Sequence, residues 1–184
     1  MALKVRGFSS LEGADINEAA IAKTREAGLV VHDLSCSADF YSCQAGKYDL
    51  VVMSHVLEHL PKEQMIQYLV SIRKLLAVRG SLIVMVPNAQ ANTGCYWAYE
   101  DFTHQTLFTA GSLYYVLRAA GFSEVSFIDI DCTAGVSWPK KIIRQILLGM
   151  YTLNLTFWNK VTGSAFHRPS PKVFSYEVKA MGRN

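Results

Sequence analysis

The chain has 184 residues, of which 51% are hydrophobic and 18% are charged, so its composition excludes intrinsic disorder and its length suits one folded domain. The formal net charge is only +3 and no long run of Lys or Arg occurs, so we expect no nucleic-acid partner. Widely spaced cysteines without a C-x-x-C pair, and no uninterrupted apolar stretch of signal or spanning length, predict free thiols, no transmembrane segment and a cytoplasmic protein.

The first predicted elements are a strand that ends at Asp15 and a helix over 18–27. Asn17 is a favourable N-cap for this helix because its side chain can accept hydrogen bonds from the first free amides. A short strand is predicted over 29–31. The stretch 34–46 has no sustained periodicity and is predicted to be a loop with at most one helical turn.

A strand followed directly by polar, titratable residues comes next. Residues 48–53 are apolar except for one Asp, which predicts a strand buried on both faces. A short helix is predicted after it, and His55, Glu58 and His59 at i, i+3 and i+4 fall on one helical face. Because ligands in open α/β sheets bind beyond the carboxyl ends of the strands, Ser54 and these three side chains are expected near a bound substrate.

Another helix and a buried strand follow this segment. Pro61 can open the helix, and the turn at Gly80 is predicted to end it before a strand over 82–86. Apolar residues three or four positions apart place one face of this helix in the core. These residues are Met65, Leu69, Ile72 and Leu76.

The last third of the chain is predicted to contain a helix over 109–120, a strand over 125–130 and a final strand over 173–181. The two strands are expected to form an antiparallel hairpin around a helical insertion at about 132–171. We favour a helix packed on the core for this insertion, while a substrate lid, a homodimer face or a membrane-surface helix are alternatives. The alternation of strands and helices predicts an α/β fold with a mostly parallel sheet and helices on both faces.

Several ordered segments resemble the class I S-adenosylmethionine-dependent methyltransferases. They are the acidic strand ends at 11–17 and 30–33, the Leu-Glu-His-Leu sequence at 57–60, the strand followed by Pro-Asn at 87–88, and the segment 101–122 around His104. The resemblance implies a Rossmann-like methyltransferase fold, S-adenosylmethionine as the cofactor, and an enzyme that transfers a methyl group.

The resemblance also implies a set of cofactor-binding residues at the strand ends. The ribose would be held at Asp15 and Ile16, the adenine at Asp33 and Leu34, and the methionine part at Ser54 and His55. From residue chemistry alone the two aspartates are equally compatible with a helix-start acid and a turn-forming acid, and His55 with a surface histidine.

Three residues match catalytic positions of the resembled family, namely Glu58, His59 and His104. A neutral imidazole there can take a proton from an acceptor hydroxyl, and Glu58 can orient it. An alternative is that Glu58 and His59 only cap and tether the helix. With His55 the same residues also make an N/O set suited to a metal, as in small-RNA ribose methyltransferases, but we expect no metal.

The glycine-rich loop of the resembled family has no counterpart before Met1. We therefore expect one domain over 1–184 that is shortened at its N-terminus and lacks the first strand. The expected reaction is O-methylation of a small acceptor, with a carbohydrate as a candidate. One alternative is a non-catalytic remnant or interaction module of the same fold, and a second is a metal-assisted RNA ribose methyltransferase.

Overall fold

The computed structural model describes residues 10–36, 39–164 and 172–184 and divides the chain into two compact units. The first unit is Met1–Ala45 and the second is Gly46–Asn184. Each unit contains its own β-sheet, with two strands in the first and four in the second. The expectation of one shortened domain stays a prediction.

The first unit is built from two parallel strands and the helix between them. Strand β1 (Glu12–Asp15) and strand β2 (Val30–Asp33) are joined through helix α1 (Glu18–Glu26), and a short helix α2 (Phe40–Cys43) follows. The side chain of Asn17 accepts hydrogen bonds from the amides of residues 19 and 20, which confirms the predicted N-cap. The parallel register places the last residues of β1 and β2 opposite each other.

The second unit alternates strands and helices before it ends in an antiparallel strand. Its elements are β3 (Tyr48–Ser54), a 3-10 helix (Leu57–His59), α3 (Lys62–Leu75), β4 (Leu76–Pro87), α4 (Gly94–Glu100), α5 (Ala110–Ala119), β5 (Glu124–Phe127), α6 (Trp138–Thr162) and β6 (Glu177–Arg183). The strand order is β3-β4-β6-β5. Strands β3 and β4 are parallel, whereas β6 is antiparallel to both of its neighbours. The α/β class and the antiparallel C-terminal hairpin are therefore confirmed.

The core of the second unit lies between its sheet and the helices α3 and α5. Leu82, Val84 and Val86 of β4 are fully buried, and Leu113 and Leu117 of α5 are buried as well. The predicted apolar face of α3 is buried, although its last member begins β4 rather than ending the helix. A capping box at the start of α5 joins the side chains and backbones of residues 109 and 112.

The prediction that a turn at Gly80 separates a helix from the next strand is wrong. Helix α3 already ends at Leu75, and β4 starts at the following residue. Tyr48 pairs with Leu76 but Leu50 pairs with Ser81, so residues 77–80 form a bulge within the strand. A Cβ atom on Gly80 would lie 2.9 Å from the carbonyl oxygen of Tyr48, which explains the glycine at this close approach.

The prediction that β3 is buried on both faces is also wrong. Leu50 is 39% exposed and Val52 is 44% exposed, whereas Met53 is buried. Within the four-stranded sheet β3 pairs only with β4, so it is an edge strand of that sheet. An apolar run is equally compatible with an edge position, because the composition of a strand does not specify how many neighbours it has.

The residue after β4 joins this strand to the segment before β6. Asn88 is fully buried, and its Nδ2 donates to the carbonyl oxygens of Val173 at 2.9 Å and Ser175 at 2.7 Å. Its Oδ1 accepts from the amide of Gln90 at 3.0 Å, and its own amide donates to the carbonyl of Tyr176 at 2.9 Å. The Pro-Asn sequence therefore has a structural role at the end of β4.

Helix α6 is the helical insertion, with 25 residues and none of them buried. It ends at Gly163, which has a left-handed conformation with φ of 69°. Among the residues that the structure describes, no helix has the length and apolar character needed to cross a membrane.

Candidate functional site

The candidate site of the second unit begins where β3 ends. The amide of His55 donates to the carbonyl of Met85 at 3.0 Å, and the backbone then turns with a φ of 54° at His55. A positive φ is uncommon for a residue with a side chain. The predicted short helix is only the 3-10 turn over 57–59, so His55 precedes it and does not lie on a helical face.

The imidazole of His55 lies between two carboxylates. Its Nδ1 is 3.1 Å from Oε1 of Glu58, and its Nε2 is 2.9 Å from Oε1 of Glu177. Both ring nitrogens of His55 therefore have a carboxylate partner. Glu177 also lies 3.4 Å from Nζ of Lys179. This arrangement suits His55 for fixing Glu58 rather than for accepting a proton.

Glu58 is the buried centre of the site. Glu58 is 0% exposed, and its Oε2 has no hydrogen-bond partner among the described residues. The backbone carbonyl of Glu58 accepts from the amides of Gln105 at 2.8 Å and Thr106 at 3.2 Å. These two bonds attach the loop that carries His104 to the 3-10 helix. A buried carboxylate oxygen without a partner has an unfilled capacity to bind a donor or a cation.

His104 is held by a backbone carbonyl with one ring nitrogen directed to the carboxylate. Its Nδ1 lies 2.7 Å from the carbonyl oxygen of Trp97, so Nδ1 donates, and the neutral ring keeps its lone pair on Nε2. That Nε2 is 4.0 Å from Oε1 of Glu58 and 3.9 Å from Oδ2 of Asp101. Its side chain is only 7% exposed.

His59 packs beside His104 and is oriented through a second pair of residues. The two rings have centroids 4.7 Å apart, and Nδ1 of His59 lies 2.8 Å from Oγ1 of Thr103. The hydroxyl of Thr103 donates to Oδ1 of Asp101 at 2.6 Å, so it accepts from His59, whose neutral ring keeps its lone pair on Nε2. Hydrogen bonds from the hydroxyl and amide of Thr103 lower the pKa of Asp101.

We call Glu58, His59 and His104 the histidine cluster. Each offers one ligand atom, and these atoms lie within 4.8 Å of one another. Imidazole and carboxylate donors suit first-row divalent metals, and the partners of the two Nδ1 atoms resemble the outer contacts that orient metal ligands. The cluster has the donors for a metal, and it equally has the parts of an acid-base site. The His55 ring, bonded on both sides, is not part of this group.

A cleft of about 500 Å³ lies between α6 and the loop that follows β4. Residues 91–93 form one wall, and Lys140, Arg144 and Tyr151 of α6 contribute to the other. Tyr176 also lines the cleft and precedes the glutamate that contacts His55. Burial and the neighbouring carboxylate raise the pKa of Tyr176, so its phenol is protonated near neutral pH. The lining is mostly apolar, with two cationic side chains at its edge.

The first unit holds the other four predicted cofactor residues. Oδ1 of Asp15 accepts from the amides of Ile16 at 2.7 Å and Asn17 at 2.9 Å. Oδ1 of Asp33 accepts from the amide of Ser35 at 2.9 Å and from its hydroxyl at 2.5 Å, and these bonds lower the pKa of Asp33. Asp15 and Asp33 are register partners at the ends of β1 and β2.

Two apolar predicted residues follow these aspartates. Ile16 is 70% exposed, and Leu34, which is half-buried, donates its amide to the carbonyl of Asp15 at 2.9 Å. The structure therefore brings the four predicted residues of this unit to the same end of its two strands. Ser54, the remaining predicted cofactor residue, is exposed at the end of β3 in the second unit.

Sequence reasoning did not identify Glu177 or the carbonyl of Trp97 as parts of the site. Glu177 is 122 positions from the histidine that it contacts, and it lies in a strand whose alternation predicts structure only. A backbone carbonyl has no sequence signal at all. Asp101 and Thr103 lie within the segment that resembles the family, and their short spacing is typical of a hydrogen bond donated by the Thr hydroxyl to the Asp carboxylate.

Comparisons with known proteins agree with this architecture. The sequence model of a family described as a methyltransferase domain matches residues 1–126. A S-adenosylmethionine-dependent methyltransferase from Archaeoglobus fulgidus has 21% identity and a TM-score of 0.62, with 94% of this chain and 75% of that chain covered. One from Thermotoga maritima has 14% identity and a TM-score of 0.57, with 94% and 72% covered.

A third solved structure includes a bound product of the cofactor. It is the 1,6-didemethyltoxoflavin-N1-methyltransferase from Burkholderia thailandensis with S-adenosylhomocysteine, at 16% identity and a TM-score of 0.54, with 100% of this chain and 64% of that chain covered. At these identities the structures are alike in fold. No curated protein sequence matches the chain.

Proposed function

This chain belongs to the class I S-adenosylmethionine-dependent methyltransferase family, and from that premise we propose that it methylates an oxygen atom of a sugar-like or other small acceptor. The single observation that supports this best is the buried His104, whose Nε2 keeps its lone pair 4.0 Å from the Glu58 carboxylate. S-adenosylmethionine supplies an electrophilic methyl group on a sulfonium, so the chain must align an acceptor and remove its proton.

The histidine cluster can carry out that proton transfer. Nε2 of His104 would take the hydroxyl proton of the acceptor as the acceptor oxygen bonds the methyl carbon and the carbon–sulfur bond breaks, and the ring would become an imidazolium. Glu58 then stabilises this cation, because the carboxylate is buried and has few competing donors. His59 holds the His104 ring in place by direct packing. The hydrogen bond that Nδ1 of His104 donates to the Trp97 carbonyl fixes the neutral tautomer whose lone pair is on Nε2.

Cofactor binding is proposed residue by residue, separately for each unit. In the first unit, the Asp15 carboxylate would accept from the ribose hydroxyls next to Ile16, and the Asp33 carboxylate would accept from the adenine amino group with Leu34 against the ring. The lowered pKa of Asp33 keeps it ionised for this purpose. In the second unit, Ser54 and His55 would contact the methionine part.

The acceptor and the location are proposed from the lining of the cleft and from the cysteines. The mostly apolar cleft beside α6 supports a small acceptor that carries an apolar part as well as its hydroxyl. The four cysteines of the chain are all free thiols, which supports a reducing compartment such as the cytoplasm. We propose no nucleic-acid partner.

The proposal is tested by calorimetric titration of the full chain with S-adenosylhomocysteine, followed by transfer of labelled methyl groups to a panel of hydroxylated small molecules. We expect micromolar binding. Asp15→Ala should weaken that binding about tenfold or more, because a charge-assisted bond is lost. His104→Ala should leave it nearly unchanged and lower turnover by about 100-fold or more.

Two outcomes would contradict the proposal. Equal effects of both variants on binding and turnover would refute this division of roles. A folded chain that binds no S-adenosylhomocysteine would instead support the non-catalytic module of the same fold.

A further inference from the structure

The outward face of helix α6 is a continuous apolar stripe. Its members recur every three or four residues, which places them on one side of the helix. They are Ile143, Ile146, Met150, Leu153, Phe157 and Val161, with exposed fractions from 58% to 72%. The half-buried residues of the same helix include Leu148, Tyr151 and Leu155, which lie on the opposite side. The stripe therefore lies on the outward side of the helix, and its first member, Ile143, also lines the cleft.

Charge and aromatic residues on α6 identify the kind of partner. The helix contains Lys140, Lys141, Arg144 and Lys160 and has no Asp or Glu. Trp138 and Trp158, near its two ends, are 74% and 55% exposed. The aliphatic part of a lysine side chain, the cationic groups of lysine and arginine, and tryptophan rings favour the boundary between phospholipid headgroups and acyl chains.

We propose that α6 lies in the plane of an anionic phospholipid bilayer, with the apolar stripe among the acyl chains and the ammonium groups of Lys140 and Lys160, which flank the stripe, at the lipid phosphates. The helix is about 37 Å long at 1.5 Å per residue, so it contacts the surface along its length without spanning it. This binding surface goes beyond the proposed methyl transfer and does not depend on it.

A second copy of the chain fits this face less well. Two α6 helices packed through their stripes would place Lys160 of each helix at the edge of the contact, with no acidic residue on either helix to pair with it. An anionic bilayer neutralises the same charges. Because Ile143 of the stripe also lines the cleft, a membrane-bound chain would hold the cleft mouth near the lipid surface. The acceptor could then reach the cleft from the bilayer.

The test is flotation of the full chain with vesicles of phosphatidylcholine alone or mixed with phosphatidylglycerol. We expect binding to the mixed vesicles, a blue shift of tryptophan fluorescence on binding, and weaker binding at high salt. Ile146→Glu combined with Leu153→Glu should reduce binding by at least about tenfold. Both side chains are well exposed, so the variant should fold, and circular dichroism checks this.

A matched control places the same charge elsewhere on the second unit. Val78 is 92% exposed in the bulge of β4, and Val78→Glu should bind mixed vesicles like the wild type. Replacing Lys140 and Lys160 with Gln should weaken binding and flatten its dependence on salt.

Three results would overturn the proposal. One is a folded chain that does not float with mixed vesicles. Another is binding that the double Glu variant leaves unchanged. The third is a homodimer, without vesicle binding, that the double Glu variant dissociates, since this would assign the stripe to a second copy. Because these readouts need no acceptor or cofactor, failure here is distinguishable from failure of the methyltransferase assignment.

Discussion

Replacing Asn88 with alanine should destabilise the second unit by about 3 kcal/mol. The side chain is fully buried and donates to two carbonyl oxygens, at 2.9 and 2.7 Å, while accepting from one amide at 3.0 Å. Removing a partner from a buried polar group costs about 1–3 kcal/mol, so two carbonyls that lose their donor set the expected range. The added cavity is small, because alanine retains the Cβ atom.

The measurement is urea unfolding followed by tryptophan fluorescence. All three tryptophans lie in the second unit, so the signal reports that unit. Asn92→Ala is the matched control because it makes the same chemical change at an exposed residue four positions later, and it should alter stability by less than about 0.5 kcal/mol. The reasoning fails if Asn88→Ala is as mild as the control, or if the control is as severe.

Three further predictions concern charge, packing and metals. Burial alone would raise the pKa of Asp129, but bonds from Lys179 and two amides outweigh it and lower the pKa, so the stabilisation is present above the usual value of 3.8 and is lost on acidification below it. In urea unfolding, Asp129→Asn should make the free energy of unfolding depend less on pH between about pH 4 and 2. An unchanged dependence on pH would contradict this. Gly182→Ala should lower the free energy of unfolding by about 1–3 kcal/mol, because its Cβ would lie 2.9 Å from the buried Phe122 ring. Gly149→Ala, whose Cβ would have nothing within 4 Å, should not destabilise the chain. Equal unfolding midpoints for the two variants would contradict this reasoning. A chelator should leave methyl transfer unchanged, because direct displacement needs only alignment and a proton acceptor; loss that Mg²⁺ or Mn²⁺ restores would support the metal-assisted alternative.

Local chemistry allowed much of the fold to be predicted. Asn17 is a residue that caps helices through its own side chain, and the structure contains the predicted cap. The bulge at 77–80 was not predictable, because it depends on the register between β4 and β3. The exposure of β3 was missed for the same reason, since burial of a strand depends on its neighbours rather than on its own sequence.

The site was predicted in its residues more than in its geometry. Glu58, His59 and His104 lie close together, as the resemblance implied. The positive φ of His55 rotates it out of the expected helical face and toward Glu177, and no periodicity encodes that conformation. Contacts between residues more than 100 positions apart arise only once the sheet has formed. Whether these residues act as proposed stays a prediction.

Strand β6 is the last element in sequence but an interior strand of its sheet, between β4 and β5. On the ribosome, the two neighbours must wait with unpaired edges until residues 177–183 have emerged, whereas β1 and β2 can pair much earlier. Nascent chains of this protein should therefore expose unpaired strand edges, which are prone to aggregation, for most of the synthesis of the second unit. The four-stranded sheet of that unit can be completed only after this strand has been synthesised.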